Sequence, residues 1–188
     1  VISLNALGLE TNPGFKITPS LLDDLLQGII YGDLLMRVLY KVRPYEKKEG
    51  AANKLYEKWV SRCQKALREG RRSDFKENLY KIVEEFDELP IDKDIVKPKV
   101  GIVGEILVKF HPTANNNVID FLESEGAEVV VPDLLDFFLY SLYNNIEKYK
   151  KLSGSFWRFV GGKLGIKGVE FFYRRHLKQA LEDSERFE

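Results

Sequence analysis

Residues Lys97 to Tyr140 read KPKVGIVGEILVKFHPTANNNVIDFLESEGAEVVVPDLLDFFLY, and their pattern decides the fold class. Val100, Ile102 and Val103 form a short β-branched run that stops at Gly104, as a strand entering a tight turn does. A polar loop follows. Val118, Ile119, Phe121 and Leu122 then recur at helical spacing, Gly126 stands as a helix stop, and Val129 to Val131 make a second apolar run. Two nearly continuous apolar strands joined through a helix predict a parallel pair, because parallel pairing needs a crossover and is ordinarily buried on both faces. Ligands of such sheets sit beyond the carboxyl ends of the strands, here Gly104, Glu105 and the loop to Asn117.

The residues of that edge support two readings each. Asn115, Asn116 and Asn117 stand where the helix begins, so they cap it or leave backbone N–H groups for an anion. Glu105 is a ligand contact or general base, or else a solvated turn residue. Gly101 and Gly104 are spaced G-x-x-G, which is not the G-x-G-x-x-G of a dinucleotide site. Upstream, Arg43 in the word RPYE either clamps a phosphate or carboxylate of a CoA-like ligand or pairs with a neighbouring acid to fix a helix end.

The region before this stretch is helical. Thr18 and Pro19 mark a start, and leucines and isoleucines from Leu21 to Leu39 trace an apolar stripe up to Arg43 and Pro44. A second helix is expected from about Ala51 to Glu69, stopping at Gly70, and a third from Ser73 until Pro90. The polar stretch Asp92 to Pro98 is the expected boundary, dividing a mainly helical block at 1–95 from an α/β unit with C-terminal helices at 96–188. After Leu134 a helix is expected to about Tyr149, its aromatics packing on the sheet. GGKLGIKG, Gly161 to Gly168, lacks the strand context and the final hydroxyl residue of a phosphate loop and reads as a turn between two helices. A last helix near Val169 to Leu181 carries Arg174, Arg175 and Lys178, a poor basic patch for nucleic acid.

Composition narrows the partners. The 188 residues are 44% hydrophobic with 29 basic and 29 acidic side chains, so no overall field draws in nucleic acid or an anionic membrane. No apolar run approaches the roughly 20 residues of a bilayer span, and the expected location is cytoplasmic. Cys63 is the single cysteine. A [4Fe–4S] cluster is normally held by about four thiolates, and the two histidines, His111 and His176, fall in no ligand spacing, so no metal site is expected. Cys63 lies in a stripe with Ala52, Leu55 and Trp59 and reads as a core thiol.

An ordered series of words, VISLN, NPGFK, YGDLLM, RPYE, KVGIVGE, ANNN, LESEGAEVVVP and LLDFFLY, spreads over residues 1 to about 145. With it the chain resembles the 2-hydroxyacyl-CoA dehydratase-like region of large CoA-substrate-specific enzyme activases. The residues give strands at about 1–5, 99–104 and 128–131 as a minimum set; the resemblance implies a Rossmann-like parallel sheet flanked by helices, with more strands outside this piece, and a parent protein using ATP and a [4Fe–4S] cluster in an oxygen-sensitive redox system. The chain itself departs from that pattern in having one cysteine and no ATPase phosphate motif. It opens on Val1, Ile2 and Leu4 with no initiating methionine, and is expected to be one piece of a longer protein, not catalytic alone. Its expected partners are other domains of the same polypeptide and a dehydratase component. Two functions follow. In one, the sheet edge faces a ligand, cluster or neighbouring domain supplied from outside this piece. In the other, the chain is a non-catalytic docking domain that positions ATPase modules. A small-nucleotide binder is a third, lesser reading.

Overall fold

The computed structural model describes residues 18–152 and 154–187. The expected strand at 1–5, with the words VISLN and NPGFK, lies outside the described residues.

Helix α1, Pro19–Val42, begins where the Thr18 hydroxyl accepts from the Leu21 N–H at 3.1 Å and proline occupies the first turn. Its stripe of Ile30, Leu34 and Val38 is wholly buried. Arg43–Tyr45 closes it in a 3-10 turn, because Pro44 lacks the N–H that would continue the helix. The Glu46 carboxylate then accepts from the Gly50 and Ala52 N–H groups, both at 2.7 Å, and starts α2, Ala51–Arg68. Gly50 and Gly70, both at positive φ, bracket that helix. Helix α3, Asp74–Asp87, brings Phe75, Leu79, Ile82 and Phe86 against α1 and α2. Trp59 sits at 0% exposure among them, its indole N–H given to Glu85 at 3.0 Å.

Strand β1, Lys99–Gly101, is followed by helices α4, Ile106–Phe110, and α5, Val118–Ser124, and then by strand β2, Glu128–Val130. The strands are parallel, with Val100 opposite Val129. Expected strand residues beyond Gly101 leave the ladder after the Ile102 N–H reaches the Val130 carbonyl at 2.9 Å. Among the described residues the sheet has two strands, β2 covered by α1 and α5. The molecule is therefore a mostly helical α/β arrangement.

Helices α6, Leu134–Lys151, and α7, Phe156–Val169, form an antiparallel hairpin. Here two expectations are corrected. Gly161 to Gly168 is not a turn but the body of α7, because Gly162 and Gly165 let α7 settle closely on α6 and packing overrides glycine's poor helix propensity. Phe137, Phe138, Tyr140 and Tyr143 do not pack on the sheet. They stand exposed, while Leu135, Leu139 and Ile146 form the buried face of α6. A π turn, Glu170–Arg174, leads into α8, Arg175–Glu182, which returns to pack on α3. The Tyr173 hydroxyl in that turn donates to Asp23 of α1, and burial together with this acid raises its pKa. No helix among the described residues is long and apolar enough to cross a membrane.

Candidate functional site

The loop beyond β1 contains a helix too short to show a periodicity. The Glu105 carboxylate accepts from the Leu107 and Val108 N–H groups at 2.9 and 3.3 Å and caps α4. Gly104 precedes it at φ +149, a conformation that glycine tolerates. Asn115 joins two elements: its amide donates to the Val108 carbonyl at 2.9 Å and its side-chain oxygen accepts from the Val118 N–H at 3.3 Å. Asn116 and Asn117 both take the left-handed conformation, φ 56 and 54, in which asparagine is among the few favoured side chains. That pair turns the chain into α5.

A cleft of about 350 Å³ lies between this crossover and the helical block. Arg43, Asn115 and Asn117 line it together, whereas Gly104, Glu105 and Asn116 are not among its lining residues. Its floor is apolar: Met36, Leu39 and Tyr40 from α1, Tyr56 from α2, and Phe110 and Pro112 from the crossover. Asn53 adds a third amide, and Lys109 rests over the Phe110 ring at 4.6 Å. The floor continues along α1 past Gly32 and Gly28 into a wider hollow of about 660 Å³. Together the two form one groove of the size that small-molecule sites commonly have.

Arg43 pins the two halves of the molecule together. Its guanidinium reaches Glu123 at 2.7 Å, Asp120 at 3.4 Å and Asn53 at 3.3 Å, and lies over the Tyr40 ring. Burial pushes the Glu123 carboxyl upward, and the Arg43 hydrogen bond works against that push. The arginine thus holds α5 to the end of α1 at the cleft wall.

Two acids escaped the sequence reading. Asp33, buried on α1, accepts from the Leu134 and Leu135 N–H groups at 2.8 and 2.9 Å and so caps α6 from another helix. Burial raises its carboxyl to about 6, against those two hydrogen bonds. The signal was an acid inside an otherwise apolar stripe. Glu128, buried at the head of β2, meets Lys41 at 3.2 Å and the Tyr45 hydroxyl at 2.7 Å. An acid opening a valine strand was its trace. The N-termini of α4, α5 and α6 are therefore each occupied by the chain's own side chains, Glu105, Asn115 and Asp33.

The thiol of Cys63 is buried among core residues, and burial pushes it up to about 12. A thiolate is what a cluster iron needs. One buried thiol, with no grouping of metal-ligating side chains among the described residues, does not fit a [4Fe–4S] cluster. Compared with protein families, with curated proteins and with solved structures, the chain has no match.

Proposed function

We propose that the chain is a region of a CoA-substrate-specific enzyme activase related to the 2-hydroxyacyl-CoA dehydratases, and that its groove along α1 holds the pantetheine arm of a CoA thioester. One observation carries this: an apolar channel whose lining holds the amides of Asn53, Asn115 and Asn117 and the Lys109 cation, beside Glu57 and the Arg43–Asp120 ion pair. A pantetheine arm is a flexible, largely apolar chain interrupted by amides, and it ends in phosphates. Apolar walls with a few fixed hydrogen-bonding groups suit such a ligand. The resemblance to dehydratase-like sequences supports the same substrate class. The groups that would carry out chemistry, including any cluster and the ATPase, belong in this reading to other parts of the parent protein.

The sheet supports an extended, Rossmann-like architecture. Pro98 and Ile102 direct their backbone groups to β2, so the alternation of a strand turns those of Lys99 and Gly101 outward. Val103, 84% exposed, and Leu107 follow the end of that strand and are open to solvent. A parallel sheet is ordinarily covered on both faces, which favours further strands or a neighbouring domain against β1.

Calorimetric titration with coenzyme A tests the ligand. The unmodified chain is expected to bind it, and Gly32→Leu, which adds a side chain where open space surrounds Gly32, is expected to block binding with the helical circular dichroism unchanged. Absence of heat with coenzyme A overturns the proposal. The docking alternative, in which the chain only positions ATPase modules, is favoured by the self-capped helix N-termini, which leave no backbone anion site at the sheet edge. It predicts that absence.

A further inference from the structure

Helix α7 uses glycine in two different ways. On its inner side a Cβ on Gly162 would come within 3.2 Å of Ile146 Cγ1 and of the Leu142 carbonyl oxygen, so this glycine permits close approach to α6. On its outer side Gly161 and Gly168 have open space where a Cβ would stand. Each glycine inside a helix costs about 1 kcal/mol relative to alanine. Among the described residues nothing approaches these two to explain that cost.

The same outer side carries large apolar groups. Trp157 is 79% and Leu164 66% exposed. The order Trp157, Gly161, Leu164, Gly168 advances by four, three and four residues, a spacing that keeps all of them on one helical face. Phe171 stands exposed at the next step, in the π turn. Soluble monomers rarely leave apolar patches of more than a few hundred Å² uncovered.

We propose that this face docks a second copy of the chain, α7 against α7 in antiparallel order, about a two-fold axis passing between Gly162 and Lys163. That centre sets Trp157 opposite the partner's Gly168 and Leu164 opposite the partner's Gly161, and symmetry repeats both contacts. Each large side chain then enters a gap left by a glycine. Self-complementarity of this kind is what an isologous two-fold interface requires. The exposed parts of Trp157, Leu164 and Phe171 amount to on the order of 400 Å² per copy at about 150–250 Å² per ring, about half of the roughly 800 Å² per partner of a standard interface, which is the size of a weak, concentration-dependent pair.

The charges fix the salt dependence. Arg158, Lys163 and Lys167 are the ionised side chains of α7, and Lys163 turns away over the Phe159 ring at 4.5 Å. Two copies bring like charges to the rim, so added salt is expected to strengthen the pair by screening. An anionic membrane gripping the same face would be weakened by salt instead.

Sedimentation velocity of the full chain over a range of concentrations and salt is the test. The expected result is a monomer–dimer equilibrium that salt strengthens. Leu164→Glu and Gly161→Leu should each weaken it by about tenfold or more, worth roughly 1.4 kcal/mol. Gly161→Leu also raises helix propensity, so unfolding does not account for its effect. Leu164→Cys supplies a direct readout, since Cys63 is buried and a short bis-maleimide should join only the introduced thiols into a covalent dimer. A chain that stays monomeric throughout overturns the proposal. So does a dimer indifferent to Gly161→Leu, and so does a monomer that binds anionic vesicles in a salt-weakened manner.

Discussion

The helical block and the strand–helix–strand unit bury their apolar residues to different degrees. In α1 to α3, Ile30, Val38, Trp59, Leu79, Ile82 and Phe86 are wholly inaccessible, and each lies on a stripe facing the other two helices. In the unit from Lys99 to Val131 the deeply buried residues cluster at Ala127 to Val129 and Val131, while the segment after β1 and α4 leave Val103 and Leu107 in the open. The block, with α6 to α8 packed on it, holds the core. The sheet unit depends on what is fastened to it, through α1 on one side of β2 and through the Arg43 and Glu128 ion pairs.

The contrast breaks most sharply at Trp59. Truncation to alanine removes a fully buried ring and leaves Glu85 without its indole donor. A loss of about 3–5 kcal/mol is expected. Urea denaturation followed by far-UV circular dichroism measures it, and a loss under about 1 kcal/mol would contradict a core centred on the block.

The junction between the two regions should respond to pH. Asp33 has its carboxyl raised from 3.8 to about 6, mainly by burial. Between those values the folded chain holds a proton that the unfolded chain has released, so stability falls as pH rises from about 4 to about 6 and levels off above. The full change is on the order of 3 kcal/mol. Thermal melts across that window should show the decline in the unmodified chain and a flatter profile in Asp33→Asn. A stability that climbs through the window on Asp33's account would reverse the assignment.

Removing Arg43 separates the regions more gently. Arg43→Met keeps the stem but leaves Glu123, whose side chain is 12% exposed, without its ion pair. About 2 kcal/mol is expected. The loss should fall on the sheet unit, so amide exchange at Phe121 and Glu128, whose N–H groups are given to Asn117 and Pro98, should quicken while that at Leu79 holds. Equal quickening at all three would make the molecule one cooperative unit.

The same contrast explains what could be read from the amino acids alone. The stripes of α1 to α3 and their punctuation at Thr18, Gly70 and Pro90 are local signals, and the valine runs with Gly126 are as clear. Helix α4 was hidden because five residues make little periodicity and its cap, Glu105, looks like any surface acid. Helix α7 was misread because its four glycines outweigh seven apolar residues until α6 is known to lie beneath Gly162. Asp33 and Leu134 are 101 residues apart, and no spacing rule connects an acid on one helix with the end of another at that separation. Arg43 showed both of its readings in RPYE; only folding brings Glu123 and Asp120 to it.

The smallest effect belongs to the exposed residue just beyond β1. Val103 is 84% exposed, so in the chain by itself its methyl groups are hydrated in the folded and unfolded states alike. Val103→Thr exchanges one methyl for a hydroxyl at nearly constant shape and keeps the β-branch that suits extended backbone. A surface substitution of this kind should shift stability by no more than about 0.5 kcal/mol. Inside a parent protein whose further strands or domain cover this residue, the same hydroxyl would be buried without a partner, at a cost of about 1–3 kcal/mol. Denaturation of Val103→Thr in the isolated chain and in a longer polypeptide therefore compares a bare position with a covered one. An equal, near-zero effect in both would mean that the segment after β1 stays bare.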